Sequence, residues 1–436
     1  MRQPETGGNR AVAFNATRTG RFGSPRNDCQ PGTASDRFAT MMKHWNRREF
    51  LSSGVAATAA LTFDLSAAPK TTRTAAIIGH TGAGNFGHRM DLVFNGLPNV
   101  KVVAVADPSD AGRAKAEANS KAVRGYANYR EMLAKEKPDL VAVAPRWSGE
   151  HHAMTMAALE IGAHVYLEKP FTMTLAEADE ILQLATKKQR KIAVAHVTRI
   201  APIVIRLQQA LKEGLIGDVL EIHSVGKMGS RAGGQDMMVL GLHVFDLVRL
   251  FGGEVAWCHA RIRQGGRAAK LIDAKESPSD RVGPVVGDDI HAQFAMDSGI
   301  NATFRSRRGL EKAAGPFGMK IIGSQGVIRF KSGVAPVISH LAGPSRIAST
   351  RTETWKNWTG GVNPADEAEF DGLTGYDAAH RRVVRDWLLA IEQNREPLAS
   401  GYRAMKAIEM AHGVFQSGIA GRRVEFPLAN RDHPLH

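Results

Sequence analysis

Short, wholly apolar runs alternate with amphipathic segments over the first half of the chain, and this alternation constrains the fold most strongly. A run that is apolar on both faces is typical of a strand buried in a parallel sheet, and such strands need crossover helices between them. The pattern therefore predicts an α/β fold with a doubly wound parallel sheet. The predicted strands are residues 74–79, 100–106, 140–144, 163–167 and 192–195, and the predicted helices are residues 111–118, 129–135, 153–161 and 175–187.

A glycine-rich segment follows the first apolar run. Gly82, Gly84 and Gly87 fit the pattern G-x-G-x-x-G, whose glycines allow a tight turn and a close approach of the backbone to a pyrophosphate. The segment begins at Gly79, so either the turn is longer than usual or the register is Gly79, Gly82 and Gly84. We expect this segment to open a helix. The predicted cofactor contacts here are Gly79, Gly82, Gly84, Asn85, Phe86 and Gly87.

Asp107 ends the second predicted strand, where a carboxylate would hold the hydroxyls of an adenosine ribose. No basic residue follows it directly, so a 2′-phosphate would be repelled and left unpaired. This arrangement favours NAD over NADP as the cofactor. Arg113, one helical turn later, keeps NADP open as the alternative.

The first seventy residues are predicted to be a targeting segment rather than part of the folded domain. Residues 1–40 have no apolar period and are interpreted as disordered or as an over-called start. Residues 41–68 combine Lys43, the pair Arg47-Arg48, an apolar run and small residues up to Ala68, which is the layout of a secretory signal. Because the arginine pair precedes x-Phe-Leu, we expect export by the twin-arginine machinery to the periplasm, with cleavage near Ala68.

A net charge of +14 is compatible with a protein that binds nucleic acid. The chain, however, has no dense Lys/Arg block interleaved with aromatic residues. We therefore expect no nucleic-acid partner.

After the leader, no apolar stretch approaches the roughly 20 residues that a spanning helix needs, so no membrane span is expected in the mature protein. No metal site is predicted. Of the two cysteines, Cys258 would remain after cleavage and is interpreted as a buried apolar residue.

The tripeptide Glu168-Lys169-Pro170 follows a predicted strand, with Pro145 and His152 upstream and the segment Gly241-Leu242-His243-Val244-Phe245-Asp246 downstream. In these features the chain resembles the Gfo/Idh/MocA oxidoreductase family from about residue 74 to residue 428. The resemblance implies an NAD(P)-dependent dehydrogenase whose Rossmann domain is followed by an α+β domain.

The resemblance also implies roles for individual residues. Lys169 corresponds to the family's active-site lysine, and His243 to the histidine that contacts the reacting hydroxyl. Asp246 lies three residues after His243, so it would either orient the imidazole or pair locally. Lys169 and His243 are also predicted substrate contacts, as is Arg199. Pro145, Trp147, His152, Glu168 and Lys169 are the implied contacts to the nicotinamide end of the cofactor.

The chain departs from the family pattern at two places. The family usually has an aspartate four residues before the histidine, where this chain has Val239. Asp236 is the predicted replacement as a substrate contact. Arg146-Trp147 stands where a small polar residue is common, and Trp147 either stacks on a ring of the ligand or anchors the loop.

From about residue 218 the period of the apolar residues changes to alternation. The predicted strands are residues 219–225, 255–262, 288–296, 299–306, 317–322 and 326–330, and the predicted closing helices are residues 380–394 and 403–418. We expect a Rossmann domain at residues 72–195 and an α+β domain at residues 196–430 with a large, open, mostly antiparallel sheet. Residues 338–370 show no clear period and are interpreted as a lid or substrate loop. A free apolar sheet face would form a homo-dimer or homo-tetramer.

The leading hypothesis is hydride transfer between nicotinamide and a secondary alcohol of a sugar, cyclitol or glycoside. One alternative keeps the cofactor but recycles it: a glycoside hydrolase or lyase that oxidises a sugar transiently and eliminates. Another is a non-catalytic sugar-binding protein, which the valine at position 239 favours. Net release of NADH separates the first from the second, and an absence of turnover indicates the third.

The leader gives a first testable prediction. Replacing Arg47 and Arg48 together with lysine leaves the charge unchanged but removes the paired arginines that the export machinery reads. We expect the double variant to stay in the cytoplasm with its signal uncleaved, as measured by cell fractionation and the mass of the purified chain. Normal processing of the double variant would contradict the prediction.

Overall fold

The computed structural model describes residues 72–277, 280–309, 317–343 and 354–436. The predicted leader and the segment before it lie outside these residues. From residue 72 onward the described chain belongs to one compact unit. The predicted boundary near residue 196 therefore stays a prediction.

The first half of the described chain forms a six-stranded sheet in the order β3-β2-β1-β4-β5-β6, in which every pairing is parallel. Helices α1–α4 connect strands β2–β6. The predicted doubly wound sheet is confirmed. The strands are β1 Arg73–Ile78, β2 Val100–Ala106, β3 Arg124–Tyr126, β4 Leu140–Val143, β5 His164–Leu167 and β6 Ile192–Val194, and the helices are α1 Asp110–Ser120, α2 Tyr129–Glu136, α3 His151–Glu160 and α4 Leu175–Lys188.

One expected element of this half is absent from the described structure. After β1 the chain forms a series of turns and a single 3-10 turn, Met90–Leu92, instead of the predicted helix. The cause is local, because Asn85, Gly87 and Arg89 all have positive φ angles. A right-handed helix cannot run through residues in that region of backbone space.

The second half begins with helices that cross over to the large sheet. A π-helical stretch, Met237–Gly241, joins α6 to α7, so that residues 234–252 form one helical segment with a wide turn in it. Two long helices near the C-terminus pack on both halves, as predicted. The helices are α5 Pro202–Lys212, α6 Gly234–Asp236, α7 Leu242–Gly252, α8 Pro364–Ala368, α9 Gly375–Glu392 and α10 Gly401–Ala420, with 3-10 turns at Ser148–Glu150, Val197–Ile200 and Leu271–Asp273.

The large sheet has ten strands in the order β17-β16-β15-β14-β7-β13-β12-β8-β20, with β9 paired to β8. Only the pairing of β7 with β13 is parallel, so the predicted mostly antiparallel sheet is confirmed. Its strands are β7 Val219–Val225, β8 Val255–Gln264, β9 Arg267–Ala268, β12 Asp289–Met296, β13 Asn301–Arg307, β14 Gly318–Gly323, β15 Gly326–Lys331, β16 Val337–Ala342, β17 Lys356–Asn357 and β20 Val424–Glu425. Two small hairpins are formed by β10 Lys275–Glu276 with β11 Pro284–Val285 and by β18 Glu369–Phe370 with β19 Leu373–Thr374.

Two expectations for this half are corrected by the structure. Part of the segment predicted as a lid is strand β16, which pairs with β15 along its whole length. The outer face of the sheet is polar rather than apolar, because one row across the strands consists of Lys320, His223, Thr303, Gln293 and His259. The inner face is apolar, and helices α7 and α10 cover it.

Among the described residues, no helix has the length and apolar character needed to span a membrane. The described residues also contain no group of three or more His, Cys, Asp or Glu side chains arranged to hold a metal ion.

A capping box fixes the start of α4 and gives a prediction for stability. The hydroxyl of Thr174 accepts a hydrogen bond from the backbone N–H of Glu177 at 3.1 Å, and the Glu177 carboxylate accepts one from the Thr174 N–H at 3.2 Å. Thr174→Ala should lower the free energy of unfolding by about 1 kcal/mol, measured by urea denaturation. Thr174→Ser keeps the cap and serves as the control; equal losses in the two variants would contradict this account.

Candidate active site

The glycine-rich turn after β1 packs directly against the loop that follows β4. At Gly84, where φ is +94°, a Cβ atom would lie 2.3 Å from the backbone N of Arg146, and at Gly87, where φ is +57°, it would lie 2.6 Å from the carbonyl O of Ala144. Both positions therefore require glycine. At Gly82, with φ of +92°, no atom lies within 4 Å of such a Cβ, so this side of the turn is open. An open glycine backbone is the feature that lets a pyrophosphate approach.

Two side chains of the glycine-rich turn itself, Asn85 and Phe86, also stabilise its conformation. The side chain of Asn85 accepts a hydrogen bond from the N–H of Gly82 at 3.1 Å. The ring of Phe86 lies against Gly79, where a Cβ would fall 2.2 Å from the ring. Gly79 thus provides space for Phe86, while Gly82, Gly84 and Gly87 have the positive φ angles of the loop.

Asp107 lies at the end of β2, as predicted, but its carboxylate is fully enclosed. Its Oδ2 accepts hydrogen bonds from both the N–H and the hydroxyl of Thr81, each at 2.9 Å, and its Oδ1 accepts one from the N–H of Ser109 at 2.8 Å. No pattern in the sequence indicated Thr81. In the described structure, the carboxylate predicted to bind a ribose holds the glycine-rich turn.

Lys169 follows β5 in a loop that turns at the cis peptide bond between Lys169 and Pro170. Its side chain is buried, and its Nζ lies 3.5 Å from the carbonyl O of Val239 in the other half of the chain. Burial lowers the pKa of Lys169, and the neighbouring carboxylate of Glu168 opposes that shift. An amine in this environment gives up its proton more readily than a surface lysine.

Glu168 is also buried, beneath the glycine-rich turn. Its Oε1 is hydrogen-bonded to Nδ1 of His88, and its Oε2 accepts the backbone N–H of Lys169 at 2.5 Å. Burial alone would raise the pKa of Glu168, but the His88 hydrogen bond and the charge of Lys169 lower it to about 2. Glu168 therefore links the glycine-rich turn to the lysine loop.

His243 lies at the start of α7, near enough to Lys169 to feel its charge, and next to a second imidazole that the sequence did not indicate. The rings of His243 and His196 meet edge to face with their centroids 5.3 Å apart. The Nδ1 atom of each ring is buried without a hydrogen-bond partner among the described residues. Burial, then the charges of His196 and Lys169, lowers the pKa of His243 well below its usual value. Two neutral imidazoles with unused nitrogen atoms thus lie beside the lysine.

His196 follows the last strand of the parallel sheet, and strand ends of this kind carry ligand sites. Its position after β6 is the signal in the sequence that would have identified it.

Asp236 does not take the place that Val239 leaves. Its Oδ2 accepts hydrogen bonds from the hydroxyl of Ser306 at 2.7 Å and from the N–H of Lys227 at 3.0 Å. Burial raises its pKa. Its role in the described structure is to join α6 to strand β13 and to the chain after β7, so the prediction that it contacts the substrate is not supported by its position.

Asp246 and Arg199 form a buried ion pair with each other. Nη1 of Arg199 donates to Oδ1 of Asp246 at 2.7 Å and to its carbonyl O at 3.2 Å, and both side chains are almost fully buried. The 3-10 turn Val197–Ile200 directs Arg199 towards α7. Asp246 therefore pairs locally with Arg199, and the predicted contact of Arg199 with substrate stays a prediction.

His152, a predicted cofactor contact, is not the histidine that lies between the two site loops. His152 lies on the outer side of α3 and pairs with Glu180 at 2.8 Å. Its neighbour His151 is buried and bridges the two site loops: Nε2 lies 2.6 Å from the carbonyl O of Pro145, and Nδ1 lies 2.7 Å from that of Pro170. Side chains at adjacent helix positions point about 100° apart, so only one of His151 and His152 is expected to be buried. The sequence does not show which of the two it is.

Trp147 begins the 3-10 turn Ser148–Glu150, and the guanidinium of Arg281 lies over its ring, 4.9 Å from the centroid. This contact joins the loop after β4 to a loop of the second half. The contact supports the interpretation of Trp147 as a loop anchor, and stacking on a ligand ring stays a prediction.

Comparisons with known proteins agree with this geometry. Residues 74–196 match the model of the oxidoreductase family with an NAD-binding Rossmann fold, Gfo/Idh/MocA, and residues 204–329 match the Gfo/Idh/MocA C-terminal domain. Together the two stretches make up more than half of the chain. The chain belongs to the Gfo/Idh/MocA family.

Several of the proteins that the chain resembles are dehydrogenases. The chain is 32% identical over 154 residues to inositol 2-dehydrogenase/D-chiro-inositol 3-dehydrogenase of Shouchella clausii, covering 34% of this chain and 43% of that protein. It is 22% identical to D-apiose dehydrogenase of Paraburkholderia graminis, covering 81% and 90%. Levoglucosan dehydrogenase in complex with NADH and L-sorbose superposes with a TM-score of 0.66 at 18% identity, covering 82% of this chain and all of that one. The chain thus spans less than half of the inositol dehydrogenase, and the structural likeness shows the shared fold.

The residues present fit a dinucleotide at its pyrophosphate, because Gly82 leaves the turn open and Gly84 and Gly87 bring it close to the loop after β4. The site-side ends of β4 and β5 place Lys169 where the nicotinamide end of a dinucleotide lies in this fold. The ribose end differs, since Asp107 is already engaged by Thr81.

The buried ion pair gives a prediction that separates structure from catalysis. Asp246→Asn should destabilise the chain by about 3 to 5 kcal/mol, because it leaves the charge of Arg199 buried without its partner. Urea denaturation measures this loss. In the control, Glu131→Gln breaks the exposed pair with Lys135 and should leave the unfolding midpoint nearly unchanged. Unaltered stability with a large loss of turnover would instead place Asp246 in the chemistry.

Proposed function

We propose that the protein is a dehydrogenase that uses NAD to oxidise a secondary alcohol of a sugar or cyclitol, or catalyses the reverse reduction. The observation that carries the proposal is the proximity of Lys169 and His243. These side chains come from opposite halves of the chain: Nζ of Lys169 lies 3.5 Å from the carbonyl O of Val239 in the segment that leads into α7, and the charge of Lys169 helps to lower the pKa of His243. The names of the relatives support the substrate class, because inositol is a cyclitol and D-apiose is a sugar.

The protein's part in this reaction is to hold the alcohol and move its proton. The bound nicotinamide supplies the hydride acceptor. Burial lowers the pKa of Lys169, so a fraction of the amine is neutral at a lower pH than for an exposed lysine, and a neutral amine accepts the hydroxyl proton. His243 lies beside it with an unused nitrogen atom, which positions a hydroxyl through a hydrogen bond.

The preference for NAD over NADP is part of the proposal. Asp107 places a carboxylate at the end of β2, which would repel a 2′-phosphate. The nearby Arg113 donates to the carbonyl O of Asp107 at 2.9 Å and is paired with Asp110.

Export and assembly also remain proposals. The order of Lys43, Arg47-Arg48 and the following apolar run supports twin-arginine export to the periplasm. Self-association through the large sheet would have to use its polar outer face, through hydrogen bonds and charges rather than apolar burial.

Substitution of the two site residues tests the proposed chemistry. Lys169→Met and His243→Ala should each leave the dissociation constant for NAD nearly unchanged and lower turnover by roughly 100-fold to 10,000-fold, because they remove proton transfer and not cofactor binding. Their combined effect should be less than multiplicative, since the two residues act together. The measurement is absorbance of NADH with a panel of polyols, alongside calorimetry for NAD.

His152→Ala is the matched control, because His152 lies outside the site and should leave turnover unchanged. Product analysis in the same reactions separates net dehydrogenation, which accumulates NADH, from hydrolysis with a recycled cofactor. Full turnover in either site variant would remove that residue from the mechanism.

A further inference from the structure

The side chain of Thr81 lies against the carboxylate of Asp107. Thr81 is itself exposed, and it donates two hydrogen bonds of 2.9 Å to Oδ2 of Asp107, one from its N–H and one from its hydroxyl. Asp107 has no exposed surface. Thr81 thus lies between the carboxylate and solvent, at the position where this fold admits the adenosine ribose.

The remaining polar atoms of Asp107 are also engaged. Oδ1 accepts the N–H of Ser109, the backbone N–H donates to the carbonyl O of Tyr126 at 3.0 Å, and the backbone carbonyl accepts from Arg113. Oδ1 can accept a further hydrogen bond, but because Asp107 has no exposed surface, a ribose hydroxyl can reach this carboxylate only if Thr81 moves aside.

A glycine in α1 makes room for this contact. A Cβ atom at Gly112 would lie 2.0 Å from the hydroxyl oxygen of Thr81 and 3.1 Å from Cγ of Asp107. Gly112 occupies the first turn of α1, where its φ angle is not one that demands glycine. Glycine inside a helix costs about 1 kcal/mol relative to alanine, so the space it leaves is the physical reason to have it there.

We propose that Thr81 competes with the vicinal hydroxyls of the adenosine ribose for Asp107 and so sets the affinity for NAD. The longer turn after β1 carries Thr81 to this position, three residues before Gly84. NAD binding then requires the Thr81 hydroxyl to release Oδ2, and the affinity is lower than an open carboxylate would give. This inference rests on the proposed use of NAD.

The test compares Thr81→Val with Thr81→Ser in the purified chain, with calorimetry of NAD and NADP as the two probes. Valine keeps the shape of the side chain but cannot donate, so NAD should bind about 10-fold more tightly, the order expected for one hydrogen bond to a charged group. Serine keeps the hydroxyl and should bind NAD like the unmodified chain. The affinity for NADP should stay unchanged in both variants, because Asp107 repels the 2′-phosphate whether or not it is covered.

Gly112→Ala is an independent variant for the case in which Thr81→Val does not fold, since it displaces the Thr81 hydroxyl without altering Thr81. It should also tighten NAD binding and leave NADP unchanged. Weaker or unchanged NAD binding in the folded variants would overturn the inference and show that Thr81 supports the turn, while the proposed function would stand. If neither the unmodified chain nor any variant binds NAD, both fail together. Because no sugar is present, failure to find a polyol substrate does not affect this test.

Discussion

The enclosure of Lys169 is the constraint on which the rest of the site depends. A lysine amine is costly to bury when charged, so the groups around it must either neutralise it or lower its pKa. Glu168 supplies a neighbouring negative charge, and burial lowers the pKa of the amine. His151 stabilises the loop that carries Lys169, because its ring nitrogens lie within hydrogen-bond distance of the carbonyl oxygens of Pro145 and Pro170. The lysine is therefore positioned by the backbone of two neighbouring strand ends.

The glycine-rich turn belongs to the same arrangement. Gly87 allows the turn to lie on the side chain of Glu168 and on the carbonyl O of Ala144, where a Cβ would collide with both. The turn that would bind pyrophosphate thus rests on the residue next to the catalytic candidate. No regular helix follows the turn. Its position is fixed by packing against the loops after β4 and β5 and by the hydrogen bonds from Thr81 to Asp107.

Val239 shows how this chain departs from the pattern of its family. The side chain that is usually a carboxylate is apolar here, and its backbone carbonyl lies 3.5 Å from Nζ of Lys169. The π-helical stretch Met237–Gly241 surrounds this residue. Such stretches shift the register of backbone carbonyls and are frequent at functional sites. The carboxylate of Asp236, three positions earlier, accepts hydrogen bonds from Ser306 and from the backbone. A peptide carbonyl, that of Val239, therefore lies near the lysine at the place where the family pattern predicts a carboxylate.

The sequence by itself determined the two sheets, the strand ends that carry the glycine-rich turn and Lys169, and the family, because apolar periodicity and short motifs are local properties of the chain. It left open every feature that depends on where side chains meet. Only the packed structure decided that His151 and not His152 is buried, that Asp246 pairs with Arg199, and that Thr81 covers Asp107. These outcomes depend on helix phase and on contacts between residues far apart in the chain, and neither is encoded in a local pattern.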